Sequence, residues 1–383
     1  DGVIQTKSLA MQRAMRILVF DQDFAPPESD PDWQPRWTGD PAWESRGKGF
    51  VVDTRFDHES GGKPAWLNYR HWIRSGGDHV TQVKAPPPPG SADLTGISGM
   101  PLWYDADHRT LCCRGALTTA ERDDLLTKCT DGAFRDAVER LYAESHIAPI
   151  TDTYGYNRSG PGGGGGQVVR DLALSLTLGY EAGQGDFRVE MTDGAQRFAC
   201  VLDFSHSELR LERDEDAEPL RKTTLLVPAV EHPLRLEFAW MDHQLLVAVD
   251  GRLAFEPWDD PSPTVPDEAP LLPVRLGANG LKLYAANLRL YRDIYYTEPE
   301  GQPTDAGWTL ADEPGRREYF MLGDNSPVSV DSRFWPRSKS VTDASWLGKP
   351  FLVHLPARTR PVRIGGHEAQ IRIPDPARIR YIR

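Results

Sequence analysis

Leu172-Ala173-Leu174-Ser175-Leu176-Thr177-Leu178 puts an apolar side chain at every second position, with small or hydroxyl-bearing residues between. Side chains of a strand point alternately to its two faces, so this stretch predicts a strand with one buried apolar face. The same pattern continues outward. Phe187, Val189 and Met191 run up to Asp193-Gly194, a favoured two-residue hairpin turn, and Phe198, Cys200, Leu202 and Phe204 run away from it. Leu234, Leu236, Phe238 and Trp240 predict the next strand. Leu245, Val247 and Val249 lead into a second such turn, Asp250-Gly251, which Leu253 and Phe255 leave. Val274–Leu276, Leu281–Tyr284 and Asn287–Tyr291 predict three more. Short alternating strands with a turn about every ten residues argue for an antiparallel β-sandwich.

Upstream, Lys7 to Met15 suits a short helix with Ser8 as cap and Met11 and Met15 one turn apart. Ile17-Leu18-Val19-Phe20 reads as a buried strand, Phe50–Asp53 continues the β pattern, and Trp66–Ile73 alternates as a further strand. Four prolines in Lys84–Gly90 remove four backbone donors, so that run is a loop or linker. Two helices follow. Thr118 with Glu121 has capping-box spacing, and Phe134, Val138 and Leu141 share one helical face. The glycines 162–166 lack the Lys-Ser/Thr of a phosphate loop and read as a connector. The block from Gln167 to Thr297 resembles the concanavalin or laminin-G type of jelly roll, and this resemblance implies sugar binding as one possible role.

The expected fold class is therefore mainly β, with a large inserted antiparallel sandwich and two short helices. Five segments are expected: 1–16, a core strand and short helix; 17–75, the first strands of the sandwich; 76–166, loops with two helices; 167–297, the sandwich; and 298–383, a second core with a basic tail.

Composition narrows the function classes. Of 383 residues, 44 are Lys or Arg and 56 Asp or Glu, a net charge of −12, which works against a general grip on nucleic-acid phosphates. No nucleic-acid partner is read. No run approaches the roughly 18 apolar residues that span a bilayer. Cys112, Cys113, Cys129 and Cys200 fit buried apolar positions, with a disulfide from Cys112 or Cys113 to Cys129 as the alternative. The ten histidines have no metal-ligand spacing, so neither metal nor cofactor is read.

The chemistry concentrates in Tyr319-Phe320-Met321-Leu322-Gly323-Asp324-Asn325-Ser326-Pro327-Val328-Ser329-Val330-Asp331-Ser332-Arg333. An apolar strand feeds a Gly-Asp-Asn turn, with serines, acids and an arginine close behind. This string resembles the signature of bacterial type I signal peptidases, Gly-Asp-Asn-x-x-x-Ser-x-Asp-Ser-Arg. Gly323, Asp324, Asn325, Ser329, Asp331, Ser332 and Arg333 match all seven fixed positions. Tyr319–Leu322 resembles the family's strand into the motif, Trp346–Val353 its closing strand, and Asp1-Gly2-Val3-Ile4 the Asp-Gly strand after its catalytic lysine segment.

The resemblance implies a membrane-anchored serine endopeptidase, facing outward from the cell membrane, that removes signal peptides from exported preproteins. A Ser nucleophile and a Lys base, kept neutral by burial, would do the chemistry. Both family segments, Ser-Met-x-Pro and Lys-Arg-Val-Val-Gly, are expected upstream of Asp1 together with the membrane anchor, so this chain is expected to be inactive alone. Ser329 matches the serine that orients the lysine amine. Asp331 and Arg333 match the pair holding the turn, Gly323 permits close backbone approach, and Asp324 with Asn325 fixes the loop. Ser98, in Gly96-Ile97-Ser98-Gly99-Met100-Pro101, is a decoy for the nucleophile, since Gly99 stands where the family has Met. Ser326 and Val328 replace a frequent Arg and Asn. Roughly three hundred residues separate the opening strand from the motif, so the sandwich is an outsized insertion that could dock to the envelope, bind glycan or shape substrate access. From Arg358 to Arg383, seven Arg against Glu368 and Asp375 give +5, which suits either lipid headgroups or a solvated strand face.

Overall fold

A computed structural model describes residues 6–26, 33–56, 62–77, 79–88, 102–152, 167–213, 216, 218–225, 232–261, 266, 268–294, 296, 309–323, 329–335, 339–348, 352–353, 357–364, 367–374 and 380–381. Asp1–Ile4, Ser98, glycines 162–166, Asp324, Asn325 and Lys349–Phe351 lie outside the described residues. The chain divides into two compact units, Asp1–Thr297 with Asp324–Ser329, and Glu298–Gly323 with Val330–Arg383.

In the first unit the order is α1 (Leu9–Met15), β1 (Ile17–Asp21), β2 (Trp37–Gly39), β3 (Trp43–Arg46), β4 (Gly49–Asp53), β5 (Ala65–Tyr69), β6 (Val80–Lys84), β7 (Leu102–Asp105), β8 (Thr110–Arg114), α2 (Thr119–Lys128), α3 (Gly132–Ser145), β9 (Leu172–Thr192), β10 (Arg197–Asp203), β11 (Glu208–Arg213), β12 (Arg221–Thr224), β13 (Leu234–Met241), β14 (Gln244–Val249), β15 (Arg252–Leu253), β16 (Trp258–Asp259) and β17 (Val274–Arg292). The protein is mainly β, and its largest sheet system is an antiparallel sandwich.

Two strands are longer than their sequence implies. Leu172–Leu178 and Phe187–Met191 belong to one strand, β9, and the three runs between Val274 and Tyr291 to another, β17. Both are shared between the layers. Residues 172–178 of β9 pair with β13 and with residues 285–292 of β17, while residues 186–192 pair with β10 and residues 274–279. The corner is made where Gly183 (φ +114) and Gly280 (φ +66) face each other; a Cβ on Gly183 would stand 2.2 Å from the Gly280 carbonyl oxygen. Inward residues of both layers, among them Leu174, Phe187, Phe198 and Phe238, form one core. Each such side chain stabilises the fold by about 1.5–3 kcal/mol when fully buried.

Turn chemistry follows the sequence in part. Asp250 (φ +49) and Gly251 (φ +85) make the expected two-residue turn. At Asp193 the loop is longer, because its carboxylate takes the N–H groups of Ala195 and Gln196 and holds a wider turn. Between β13 and β14 the turn is Asp242-His243, both at positive φ without glycine. The expected strand Trp66–Ile73 stops at Tyr69. Beyond it the backbone changes partner: Ile73 N–H donates to the His146 carbonyl, and Ala148 N–H to that of His71.

Residues 76–166 hold more than loops and helices, since β6, β8 and β7 form a small antiparallel sheet under α2 and α3. Its strands escape a hydrophobicity reading because they are short and the run before β7 is proline-rich. Thr118 and Glu121 form the capping box of α2, and Phe134, Val138 and Leu141 are buried in this lobe. All four cysteines are buried and free, Cys113 and Cys129 here and Cys200 in the sandwich core.

The outer face of the layer holding β13 and β14 is covered. Ser8 caps α1, accepting the Met11 N–H at 3.4 Å. Leu9 packs on Ala173, Ala239, Met241, Leu246 and Ala248 of this face, beside Tyr291. Arg13 and Arg16 both bind the buried Glu237 carboxylate, and Arg16 lies 3.9 Å over the Tyr291 ring.

In the second unit β18 (Glu318–Tyr319) pairs with β19 (Val341–Thr342), β20 (Leu352–Val353) with β23 (Arg380–Tyr381), and β21 (Ala357–Ile364) with β22 (His367–Pro374). The strand expected over Tyr319–Leu322 is thus a two-residue ladder, because the main chain past Phe320 is held by Ser332 and Asp331 instead. Of the expected closing strand, Trp346 and Leu347 are exposed coil. The arginine-rich tail places its first arginines on the β21–β22 hairpin.

Candidate functional site

The peptidase-like motif is organised by one carboxylate. Asp331 accepts the Gly323 N–H at 2.9 Å and receives Arg333 as a fork, Nε to Oδ1 at 2.9 Å and Nη2 to Oδ2 at 2.8 Å. Both side chains are buried. Two parallel charge-assisted bonds fix direction as well as distance. The Arg333 fork, against the opposing effect of burial, holds the Asp331 carboxyl below its ordinary range. The Asp331 carbonyl accepts Phe334 N–H at 2.8 Å, which starts the turn that follows.

Ser332 closes the loop from the other side. Its Oγ accepts the Met321 N–H at 2.8 Å, and its own N–H donates to the Met321 carbonyl at 3.0 Å. This hydroxyl is wholly buried and serves the backbone. Lys339 Nζ donates to the Arg333 carbonyl at 2.6 Å. The structure therefore brings Gly323, Asp331, Ser332 and Arg333 together and leaves Ser329 half-buried. Around the buried pair, Met321, Leu322, Val330 and Phe334 are exposed, Val330 by 79%.

A second constellation lies on the sandwich, on the outer face of the layer holding β10, β9, β17 and β5. Strand register sets Glu190 beside Arg275 and Arg275 beside Asn68; in the next outward row it sets Arg188 beside Gly277 and Gly277 beside Trp66. The Glu190 carboxylate, buried, receives Arg275 Nε and Nη2 at 2.6 Å, with Arg188 and Arg197 within 3.8 Å. The Arg275 guanidinium stands 3.8 Å from the centre of the Trp66 ring. Gly277 makes room for that ring, since a Cβ there would sit 2.7 Å from it. Trp66, Asn68 and Thr38 are half-buried. A planar ring flanked by guanidinium forks, a carboxylate and an amide can stack on an apolar patch and bond hydroxyl groups at its rim. Sequence reading passed over this face, although Trp66/Asn68, Arg188/Glu190 and Arg275/Gly277 each alternate with core residues. The signal was in the positions between the apolar ones.

No protein-family model and no curated protein matches this chain. Solved structures similar to it include the galectin LEC-6 of Caenorhabditis elegans, 11% identical over 31% of this chain and 83% of that one, with a TM-score of 0.25. A carbohydrate-binding module, CBM66, from Bacillus subtilis is 11% identical over 31% of this chain and 73% of its own, TM-score 0.25. An endo-β-1,3-glucanase from Pyrococcus furiosus is 13% identical over 33% and 62%, TM-score 0.26.

Proposed function

We propose that this chain is the outward-facing body of a signal-peptidase-I-like serine endopeptidase, acting at the cell membrane on the signal peptides of exported proteins. The observation that supports it most is the buried Asp331–Arg333 fork holding the Gly323 backbone. Gly323, Asp331 and Arg333, which it ties together, are three of the positions that the family motif shares. Exposed Met321, Leu322, Val330 and Phe334 suit an apolar peptide segment nearby. On this reading the Ser nucleophile, the Lys base and the membrane anchor are contributed by segments other than the described residues. Among the described residues no helix is long and apolar enough to cross a membrane. Ser329 is a positioning residue, orienting the lysine amine. Ser329→Ala in the protein carrying those segments is expected to lower signal-peptide cleavage about tenfold or more, as for a lost bond to an ionisable group, with unchanged thermal unfolding. A shift of the pH–rate profile would mark the effect on the lysine, and unchanged cleavage would remove the role.

The half-buried Trp66 ring, with Arg275 over it and Asn68 two residues along the strand, favours a second activity, glycan binding by the sandwich. Trp66→Ala should weaken binding to neutral oligosaccharides, followed by calorimetry across a panel, about tenfold or more, in keeping with lost stacking. Binding that survives the substitution would place any glycan elsewhere.

A further inference from the structure

We propose that Asp171, Asp242 and Asp293, at one end of the sandwich, form a calcium site for which the ammonium of Lys7 competes. The topology brings them together. Trp240, Leu172 and Arg292 are neighbours in register across β13, β9 and β17, so the residues just beyond them leave the sheet at the same end. Asp293 N–H donates to the Asp171 carbonyl at 2.9 Å, and Asp242 enters from its positive-φ turn.

One carboxylate oxygen from each residue lies within 4.8 Å of the others. Three carboxylates with no nitrogen or sulfur donor suit a hard cation, and a site with that many protein carboxylates suits Ca2+ better than Mg2+, which keeps several waters and is held by one or two. Lys7 Nζ sits 2.7 Å from Asp242 Oδ2 and 2.7 Å from Asp293 Oδ2. The hydrogen-bond pattern points the same way. Asp293 is 2% exposed, yet its Oδ1 has no hydrogen-bond partner. A buried carboxylate oxygen without a donor is costly, and a hard divalent cation satisfies it where a single ammonium does not. These aspartates are far apart in sequence and carry no histidine or cysteine, so ligand spacing does not reveal them.

The test is thermal unfolding of the chain in EDTA, in about 5 mM CaCl2 and in equal MgCl2, within the range of extracellular calcium sites, together with Tb3+ luminescence titrated against Ca2+. Calcium is expected to raise the melting temperature and magnesium to leave it near the EDTA value. Lys7→Met, lacking the competing ammonium, is expected to melt lower in EDTA and to bind Tb3+ and Ca2+ about tenfold more tightly. Asp293→Asn is expected to lose the calcium response. No calcium effect on either the wild type or Lys7→Met overturns the proposal, as does equal stabilisation by magnesium or a response that survives Asp293→Asn. Should Asp293→Asn not fold, the ratio of Tb3+ affinities between wild type and Lys7→Met decides by itself, and equal affinities overturn it.

Discussion

Asp331→Ala is expected to unlock the peptidase-like motif and, on the proposed function, to abolish signal-peptide cleavage. The substitution removes both Asp331 bonds from the buried Arg333 guanidinium and frees the Gly323 N–H. Removing one partner of a buried pair costs about 3–5 kcal/mol, because the remaining charge stays desolvated. Hydrogen exchange reads this locally: the Gly323 amide, now protected by Asp331, should exchange about a hundredfold faster or more, as loss of that free energy requires. Core amides of the sandwich should be unaffected. Asp331→Asn keeps an acceptor for Gly323 but loses the charge, so its effect should be smaller. Because the Asp331 carboxyl lies below its ordinary value of 3.8, the pair's contribution is complete above that value and is lost as pH falls through the lowered one. Protection of Gly323 unchanged by Asp331→Ala would refute the hub role.

Gly183→Ala should damage the sandwich itself. Gly183 occupies φ +114, which L side chains avoid, and its Cβ would stand 2.2 Å from the Gly280 carbonyl oxygen and 2.9 Å from the Leu281 Cα. Both obstacles are backbone and cannot rotate away. Strain of about 1–3 kcal/mol for the dihedral adds to the overpacking cost of about 1–3 kcal/mol, so a loss of roughly 3 kcal/mol or more is expected in urea unfolding. Gly251→Ala provides the control. It shares a positive φ (+85) but meets no atom within 4 Å, so it carries only the dihedral cost. Equal losses at the two positions would show that the close approach of β9 and β17 contributes nothing.

The fold class was legible because the evidence for it is local. Leu172–Leu178 alternates with period 2, Asp250-Gly251 supplies the positive φ a tight hairpin needs, and Thr118 with Glu121 caps a helix, each within a few residues. The limits of β9 and β17 were not legible: the apolar runs on either side of Gly183 and of Gly280 read as separate strands, and only the pairing of β9 with β17 through the corner joins them. In the motif, residue order pointed to Asp331 and Arg333, while Ser332 as a clamp on Met321 emerged only from the folded backbone.

The sequence by itself determined which residues face the core, where chains turn, and which short motif resembles peptidase chemistry, since these rest on period, backbone preference and order. Tertiary structure decided that α1 covers one sheet face, that Trp66 meets Arg275 on the other, and that three distant aspartates gather beside Lys7. Those arrangements depend on which strands pair and in what register, and pairing is settled by burying all the apolar faces at once rather than by any one stretch.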